Sequence, residues 1–594
     1  MGIPIRKTRD VRQSLKHLRL QFAVACQLAC WCLLLAFIWP GSAGAEAGGD
    51  PRVPANFVDV TDASGIRFMH QALHTSRKYL LETMGSGVAL FDCDGDGRLD
   101  IFLPNGAPYT DPTPKGTIPQ KQGPQDWDRL YRQRPDGTFE DVTEKSGLKG
   151  TGYDMGVAAA DYDNDGREDL FVTGYGGNHL YHNEGNCVFK DVTETAGVAG
   201  GGWSSSAAWV DLDNDGLLDL VVLRYVTWDW NDIWCGQPDN RGICHPDLFP
   251  PVKMLVYHND GNGHFTEIAD KVGLGKPCKA LGIAIADYDR DGRPDIFIAN
   301  DSMEESLFHQ KPDGTFEEVG LEAGVAVNGD GGTYAGMGVD FSDYDNDGYP
   351  DIVVTNLANQ RYALYHNQHG ESFNYSTDTT GLGAITQLHS GWSVRFFDYD
   401  NDGWKDLLIA QGHDMDTVQK SFPMLRYREP ILLLRNTRDG FVDVSSVSGQ
   451  IFKEAWVGRG LAIGDINNDG KIDVVVSTNG GPAHVLMNQT VTNNHWLTLK
   501  LVGHKSNRDG IGAVVKLTTP SGSQWVRAGT DGGYLSSSDL RVHFGLGAQT
   551  SATEVEIHWP SGIVQTLKNV EADRILTVDE PNSVETRRSQ GSKN

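Results

Sequence analysis

The sequence predicts an all-β protein: a seven-bladed β-propeller closed by its own N-terminal strand, followed by a small β-sandwich-like domain. Three observations predict it. A nine-residue loop, D-x-[DN]-x-D-G-x-x-D, occurs seven times, starting at Asp92, Asp161, Asp211, Asp287, Asp343, Asp398 and Asp465. Short apolar runs flank each copy, and fixed-period repeats of this kind mark propellers and arrays. A second marker, a Phe that opens a short strand, also occurs seven times, at Phe57, Phe139, Phe189, Phe265, Phe316, Phe373 and Phe441. The two series are out of phase. The chain meets a Phe-marked strand before any loop, and after the last loop two strands follow with no marker. The strand at 57–60 therefore completes the last blade and removes an exposed sheet edge.

The elements follow in order. Residues 1–45 read as an export signal: a basic stretch from Arg6 to Arg19, an apolar run over 20–39, and Ala43-Gly44-Ala45 as the cleavage site. The run is nearly long enough to span a bilayer, so a retained anchor is the alternative. Residues 46–56 form a linker, and 57–493 form the propeller. One blade is clearest at 156–198, with strands over 156–160, 170–173, 179–183 and 189–192. Small Gly and Ala side chains in its first strand suit a crowded axis. Insertions at 104–128, 224–253 and 411–430 each follow a second strand, so they gather on the face opposite the acidic loops. Residues 494–580 form the second domain, with strands expected over 496–501, 513–517, 524–528, 541–544, 554–558 and 575–578. A polar, disordered tail over 581–594 ends the chain.

The acidic loop carries the chemistry. Carboxylates at positions 1, 3 and 5 face the inside of a tight turn, Gly at position 6 permits the bend, and Asp at position 9 closes the shell with both oxygens. This all-oxygen set suits Ca²⁺ rather than Mg²⁺ or Zn²⁺. The ligands are Asp92, Asp94, Asp96 and Asp100; Asp161, Asp163, Asp165 and Asp169; Asp211, Asp213, Asp215 and Asp219; Asp287, Asp289, Asp291 and Asp295; Asp343, Asp345, Asp347 and Asp351; Asp398, Asp400, Asp402 and Asp406; Asp465, Asn467, Asp469 and Asp473. Up to seven structural Ca²⁺ ions are expected, with the Asn467 loop the weakest. The flanks are strand-like, unlike the helices of an EF-hand.

Formal net charge is −28 over 594 residues, with Asp and Glu 79 against Lys and Arg 51. Such a surface repels nucleic acid and anionic membranes. Once the signal is cleaved, no remaining segment could insert in a membrane. Five cysteines follow the signal, and Cys235 and Cys244 are expected to pair across a short loop. At least one thiol is left over within a monomer.

Aromatic residues concentrate on the insertion face: Trp228, Trp230 and Trp234 in the second insertion, with Trp203, Tyr334, Trp392 and Trp456 at nearby strand starts and Arg459 as a positive group. They read either as a stacking surface for a sugar or peptide or as packing between blades. No G-x-S-x-G or H-E-x-x-H occurs. His182, His258 and His366 recur in third strands and read as repeat residues rather than bases.

Each loop with its flanks, as over 158–172, resembles the FG-GAP/VCBS repeat of the integrin α-subunit propeller, and the resemblance covers about 57–490. In the last domain, Asn507-Arg508-Asp509-Gly510-Ile511-Gly512-Ala513, Gly533-Tyr534-Leu535-Ser536, His543-Phe544-Gly545-Leu546-Gly547 and Trp559-Pro560-Ser561-Gly562 resemble the ASPIC/UnbV domain. The combination resembles the cartilage acidic protein family, which has many bacterial members. The resemblance implies a secreted, calcium-binding recognition or adhesion module for an extracellular glycan or protein, with no established enzymatic activity. The cysteine count is too low for the EGF-like module of animal members, which favours a bacterial exported protein. The competing reading is a calcium-dependent lyase or glycosidase on the same scaffold.

Overall fold

The computed structural model describes residues 52–582. The expected signal, and all but the first two residues of the expected tail, lie outside the described residues. The fold is all-β and propeller-type. Seven antiparallel meanders carry the repeat. The second is typical: Tyr153–Ala160, Asp169–Tyr175, His179–Asn183 and Phe189–Asp191. Its first two strands are fully buried, as the Gly/Ala-rich sequence requires, and in the fourth only Phe189 is buried. The seventh sheet joins both ends of the repeat region. Gly458–Gly464, Asp473–Thr478 and His484–Asn488 are followed in the sheet by Phe57–Asp59, with Phe57 opposite Asn488. The innermost strands of successive sheets pack side by side, and Gly458–Gly464 also packs on Ala89–Phe91 of the first sheet.

After five of the seven fourth strands the chain makes one short helical turn, closed by a glycine in the left-handed region. Gly147, for example, has φ +86°, and a Cβ there would come within 2.6 Å of the Phe189 carbonyl oxygen of the next sheet. The glycine therefore serves both the turn and the close approach of neighbouring sheets.

The second domain stacks two sheets. One holds Val542–Gly547, His495–Val502 and Arg574–Asp579; the other holds Gly522–Arg527, Val514–Thr519, Ser551–His558 and Val564–Glu571. Leu497, Leu499, Val515, Leu517, Phe544, Val555 and Ile557 fill the space between them. The strand Val564–Glu571 was not expected from sequence. It is a mostly exposed edge strand whose polar residues give little burial pattern.

Between Gly529 and Asp539 the second domain sends a segment along the axis of the repeat sheets. It bonds to the innermost strand of all seven. Gly532 N donates to Ile283 O at 3.2 Å and Gly533 N to Val339 O at 2.6 Å. Tyr534 N donates to Ser393 Oγ and Leu535 N to Ser206 Oγ, each at 3.0 Å. Val157 N donates to Leu535 O at 3.1 Å, Leu90 N to Ser537 O at 3.0 Å, and Asp539 N to Ile463 O at 3.0 Å. Room is tight: a Cβ on Gly87 would lie 1.7 Å from the Leu535 carbonyl oxygen. The Gly533-Tyr534-Leu535-Ser536 motif is the centre of this axial plug.

Candidate metal loops and recognition face

The seven loops share one hydrogen-bond plan. In the second, Asp161 at position 1 accepts from Asp165 N (3.0 Å) and Gly166 N (2.7 Å). Asp169 at position 9 accepts from Tyr162 N (3.3 Å) and from Asn183 N of the third strand (2.7 Å). Position 4 lies in the left-handed region in every copy, from Gly95 and Asn164 to Asn468. Asn and Gly tolerate this conformation; Arg290 adopts it at φ 63°.

The residue ending each third strand ties neighbouring loops together. Asn183 Nδ2 donates to Glu168 O of its own loop and to Cys93 O of the preceding one, both at 3.0 Å. Asn259, Asn367 and Asn436 repeat this pair of bonds. Gln133 Nε2 reaches from the first sheet to Ile466 O in the seventh loop at 2.9 Å. Asn468 Nδ2 of the seventh loop reaches Gly97 O of the first at 3.0 Å.

Burial and mutual repulsion raise the loop carboxylates. Burial, followed by the neighbouring Asp509, pushes Asp161 up to about 8. Burial likewise lifts Asp100 to about 8 and Asp211 to about 7, against the backbone bonds that each accepts. Such crowded carboxylates favour a bound cation. Ligand atoms of Asp163 and Asp165 lie within 4.8 Å of one another and of His182, as do those of Asp345, Asp347 and His366. Asp94 Oδ1 is buried with no hydrogen-bond partner. Positions 1 and 9 commit lone pairs to backbone N–H groups, and positions 3 and 5 each commit one oxygen in the same way, as where Asp163 Oδ1 accepts from Asp165 N at 3.3 Å and Asp165 Oδ1 from Arg167 N at 3.0 Å. These residues fit an oxygen-coordinated divalent ion.

His182, His258 and His366 were expected as third-strand repeat residues; His309, Arg132 and Arg435 at the same position were not. His182, His258, His309 and His366 place Nδ1 between 3.0 and 3.2 Å from the position-9 Asp. Arg132 and Arg435 replace them in the first and sixth sheets, reaching Asp94 at 2.5 Å and Asp402 at 2.7 Å. In the seventh sheet the position holds Met487, beside the loop whose Asn467 carries no charge. The signal was available as a YHN/YRQ/LRN alignment of third strands.

Cys235 and Cys244 form a disulfide with Cα atoms 5.2 Å apart, and Cys93 and Cys187 form a second at 4.9 Å. Cys278 is a buried free thiol.

The expected stacking face is largely interior. Trp203, Trp230, Tyr334 and Trp392 are each no more than 2% exposed, and Arg459 is fully buried. Trp203 packs edge-on to Tyr225 and Trp228, with ring centres 5.2 and 5.4 Å away. Arg459 lies 3.8 Å over Trp392 and donates to Thr83 O at 2.7 Å. Trp456 is buried and stacks on His484 at 3.7 Å. Trp228 is half-buried, and only Trp234, at 56%, is exposed. The correction has a physical cause: the insertions fold over the end of the axis, and the aromatics seal it around Tyr534 and Leu535.

Residues 503–585 match the ASPIC and UnbV family, and 122–172, 161–222, 230–298, 287–354 and 343–409 match the FG-GAP-like repeat. The chain is 26% identical over 329 residues to cartilage acidic protein 1 of Xenopus tropicalis, covering 54% of this chain and 48% of that one. The human protein of the same name is 25% identical over 328 residues, covering 54% and 47%. The chain is a homologue of the cartilage acidic proteins. It carries their FG-GAP-like repeats and ASPIC/UnbV domain, and it spans about half the length of the curated relatives it matches. Among solved structures, a lectin of Agrocybe aegerita that recognises non-reducing terminal N-acetylglucosamine is 14% identical, covering 73% of this chain and 97% of that one with a TM-score of 0.37. A rhamnogalacturonan lyase of Bacillus licheniformis is 13% identical, covering 69% and 72% with a TM-score of 0.34. Both scores are too low to bear on fold or function.

Proposed function

We propose that this protein is an exported, calcium-loaded, seven-bladed propeller that acts as a recognition or adhesion module for an extracellular glycan or protein. The observation that carries the reading is the shared loop plan: seven quartets of crowded oxygen ligands, held by the same backbone bonds and tied loop to loop. In this reading the first and seventh sheets are neighbours in a closed ring, which the packing of Gly458–Gly464 on Ala89–Phe91 supports. Calcium here is structural, because it neutralises carboxylates that otherwise repel one another in tight turns. Two disulfides and a buried, plugged axis suit a rigid protein of an oxidising compartment.

Ion binding to the folded state alone stabilises it by about 2.7 kcal/mol per site at a hundred times the dissociation constant. Excess EDTA should therefore lower the thermal midpoint by well over ten degrees, and added Ca²⁺ should restore it, on the order of several such sites acting together. An unchanged melting curve would remove the metal from the reading. Retention on a glycan and protein array without turnover of any polysaccharide tests the recognition role. Product release from an acidic polysaccharide would favour an enzyme instead.

A further inference from the structure

A cleft between the acidic-loop face and the sheet holding Gly522–Arg527 encloses about 600 Å³. Most charges lining it are matched. Asp340 pairs with Arg395 at 3.6 Å, Asp539 with Arg541 at 2.7 Å, Glu556 with His558 at 2.8 Å, and Asp531 with Arg527. The position-1 aspartates that reach the cleft accept the N–H groups of their own loops.

Three cations remain. Arg290, Lys405 and Lys516 have no carboxylate within 4.0 Å among the described residues. Arg290 and Lys516 flank the Trp525 ring, Lys405 bonds to the Trp525 backbone, and Arg290 also lies 4.9 Å over the Tyr349 ring. The guanidinium of Arg290 lies 5.7 Å from the Trp525 ring centre, and the ammonium of Lys516 lies 5.3 Å from it. Lys405 Nζ donates to Asp343 O at 2.6 Å and to Trp525 O at 3.3 Å, which leaves one N–H unused. Gly348 keeps the place open, since a Cβ there would meet Arg290 Nη1 and the indole at 3.2 Å each. Trp525 is half-buried.

Two cations beside a half-buried indole and a third on its backbone, none of them in an ion pair within 4.0 Å among the described residues, are unexpected on a chain of net charge −28. An indole face suits the C–H face of a sugar ring, and Arg and Lys suit a carboxylate or sulfate. A cleft of about 600 Å³ takes one or two sugar rings and excludes an extended polyanion. Arg290 is also the departure from the repeat: five of the other six loops carry Asn at position 4 and one carries Gly. We propose that this cleft binds a terminal acidic sugar, its anionic group held by Arg290, Lys405 and Lys516 and its ring lying on Trp525. The proposal deepens the recognition reading and rests on it.

Calorimetry on the full calcium-loaded chain tests it with three probes: a uronate disaccharide, the same disaccharide reduced to its neutral form, and inorganic sulfate. Arg290→Asn restores the residue used by neighbouring loops, and Lys516→Gln keeps the strand. Both variants should melt like the parent. The uronate should bind, the neutral sugar should bind about tenfold more weakly, and each variant should weaken the uronate by about tenfold, the worth of one charge-assisted bond. Equal binding of the two sugars, uronate binding unmoved by both variants, or no uronate binding overturns the site. Sulfate binding as tight as the uronate reduces it to a simple anion hole and overturns the saccharide. A partner found on the array and held equally by both variants would leave the recognition reading intact and defeat this site alone.

Discussion

The rim of acidic loops and the axial plug meet the same seven inner strands, yet they are built in opposite ways. The rim is written seven times, with each copy held by its own carboxylates and by one Asn or Gln from the next strand. The plug is written once. Its eleven residues from 529 to 539 bond to seven different strands, each through a different backbone atom of the plug. A repeated device tolerates the loss of one copy, whereas a single-copy device does not. Stability should therefore respond far more to one substitution on the axis than to one on the rim.

The largest effect is expected at Tyr534. Its side chain is fully buried, its ring centre lies 5.0 Å from that of Trp392, and its hydroxyl donates to Met84 O at 3.0 Å. Tyr534→Ala leaves a cavity and an unpaired carbonyl, at a cost of about 3–5 kcal/mol. Because the plug joins both domains, denaturant melts followed by propeller and C-terminal probes should shift together. If only the C-terminal probe shifted, the axis would not be the shared element argued here.

A rim substitution should cost less. Asn183→Ala removes three side-chain bonds, to Cys93 O and Glu168 O and from Gly185 N, while Cys93 O keeps the bond from Cys187 N, for about 1–3 kcal/mol. The equivalent Asn367→Ala removes bonds to Tyr288 O and Pro350 O and should match it within about 0.5 kcal/mol. Unequal losses would show that the copies are not interchangeable and would weaken the contrast with the axis.

The contrast also explains what could be read in advance. The loops, strand order and Cys235–Cys244 pair depend on local spacing, so they were visible as a period or a short separation. The four-strand blade at 156–198 was placed within a few residues of the strands found. The plug was not visible: Gly533 and Tyr534 have neither period nor pattern, and their conformation is set by segments up to 450 residues away. The same holds for the aromatics. Trp203 and Trp392 look alike as ligand platforms or as core until the insertions are folded over them. The cleft at Trp525 was missed for the same reason, because Arg290, Lys405 and Lys516 are far apart in the chain and meet only when the second domain docks.

The smallest handle lies at the outer edge of the repeat, where burial is partial. Asp191 accepts from His179 Nδ1 at 3.1 Å, from Thr193 N at 3.0 Å and from Thr193 Oγ1 at 2.6 Å. Burial would raise this carboxyl, but those bonds outweigh it and hold it at about 2, below its ordinary 3.8. Burial would lower His179, but Asp191 and Asp154 outweigh it and raise the ring above its ordinary 6.5. The signs are opposite. A lowered carboxyl contributes stability that is complete above its unfolded value and is lost as pH falls from about 4 to about 2. A raised histidine contributes stability that is complete below 6.5 and is lost as pH climbs through its folded value. Asp191→Asn removes both, so melting midpoints should lose part of their slope at each end while the middle of the pH range falls slightly. Asp191 is 47% exposed, so solvent screening keeps the effect below that of either Asn183 or Tyr534. A loss at Asp191 as large as the one at Asn183 would mean that the outer edge, and not the rim, carries the repeat-coded stability.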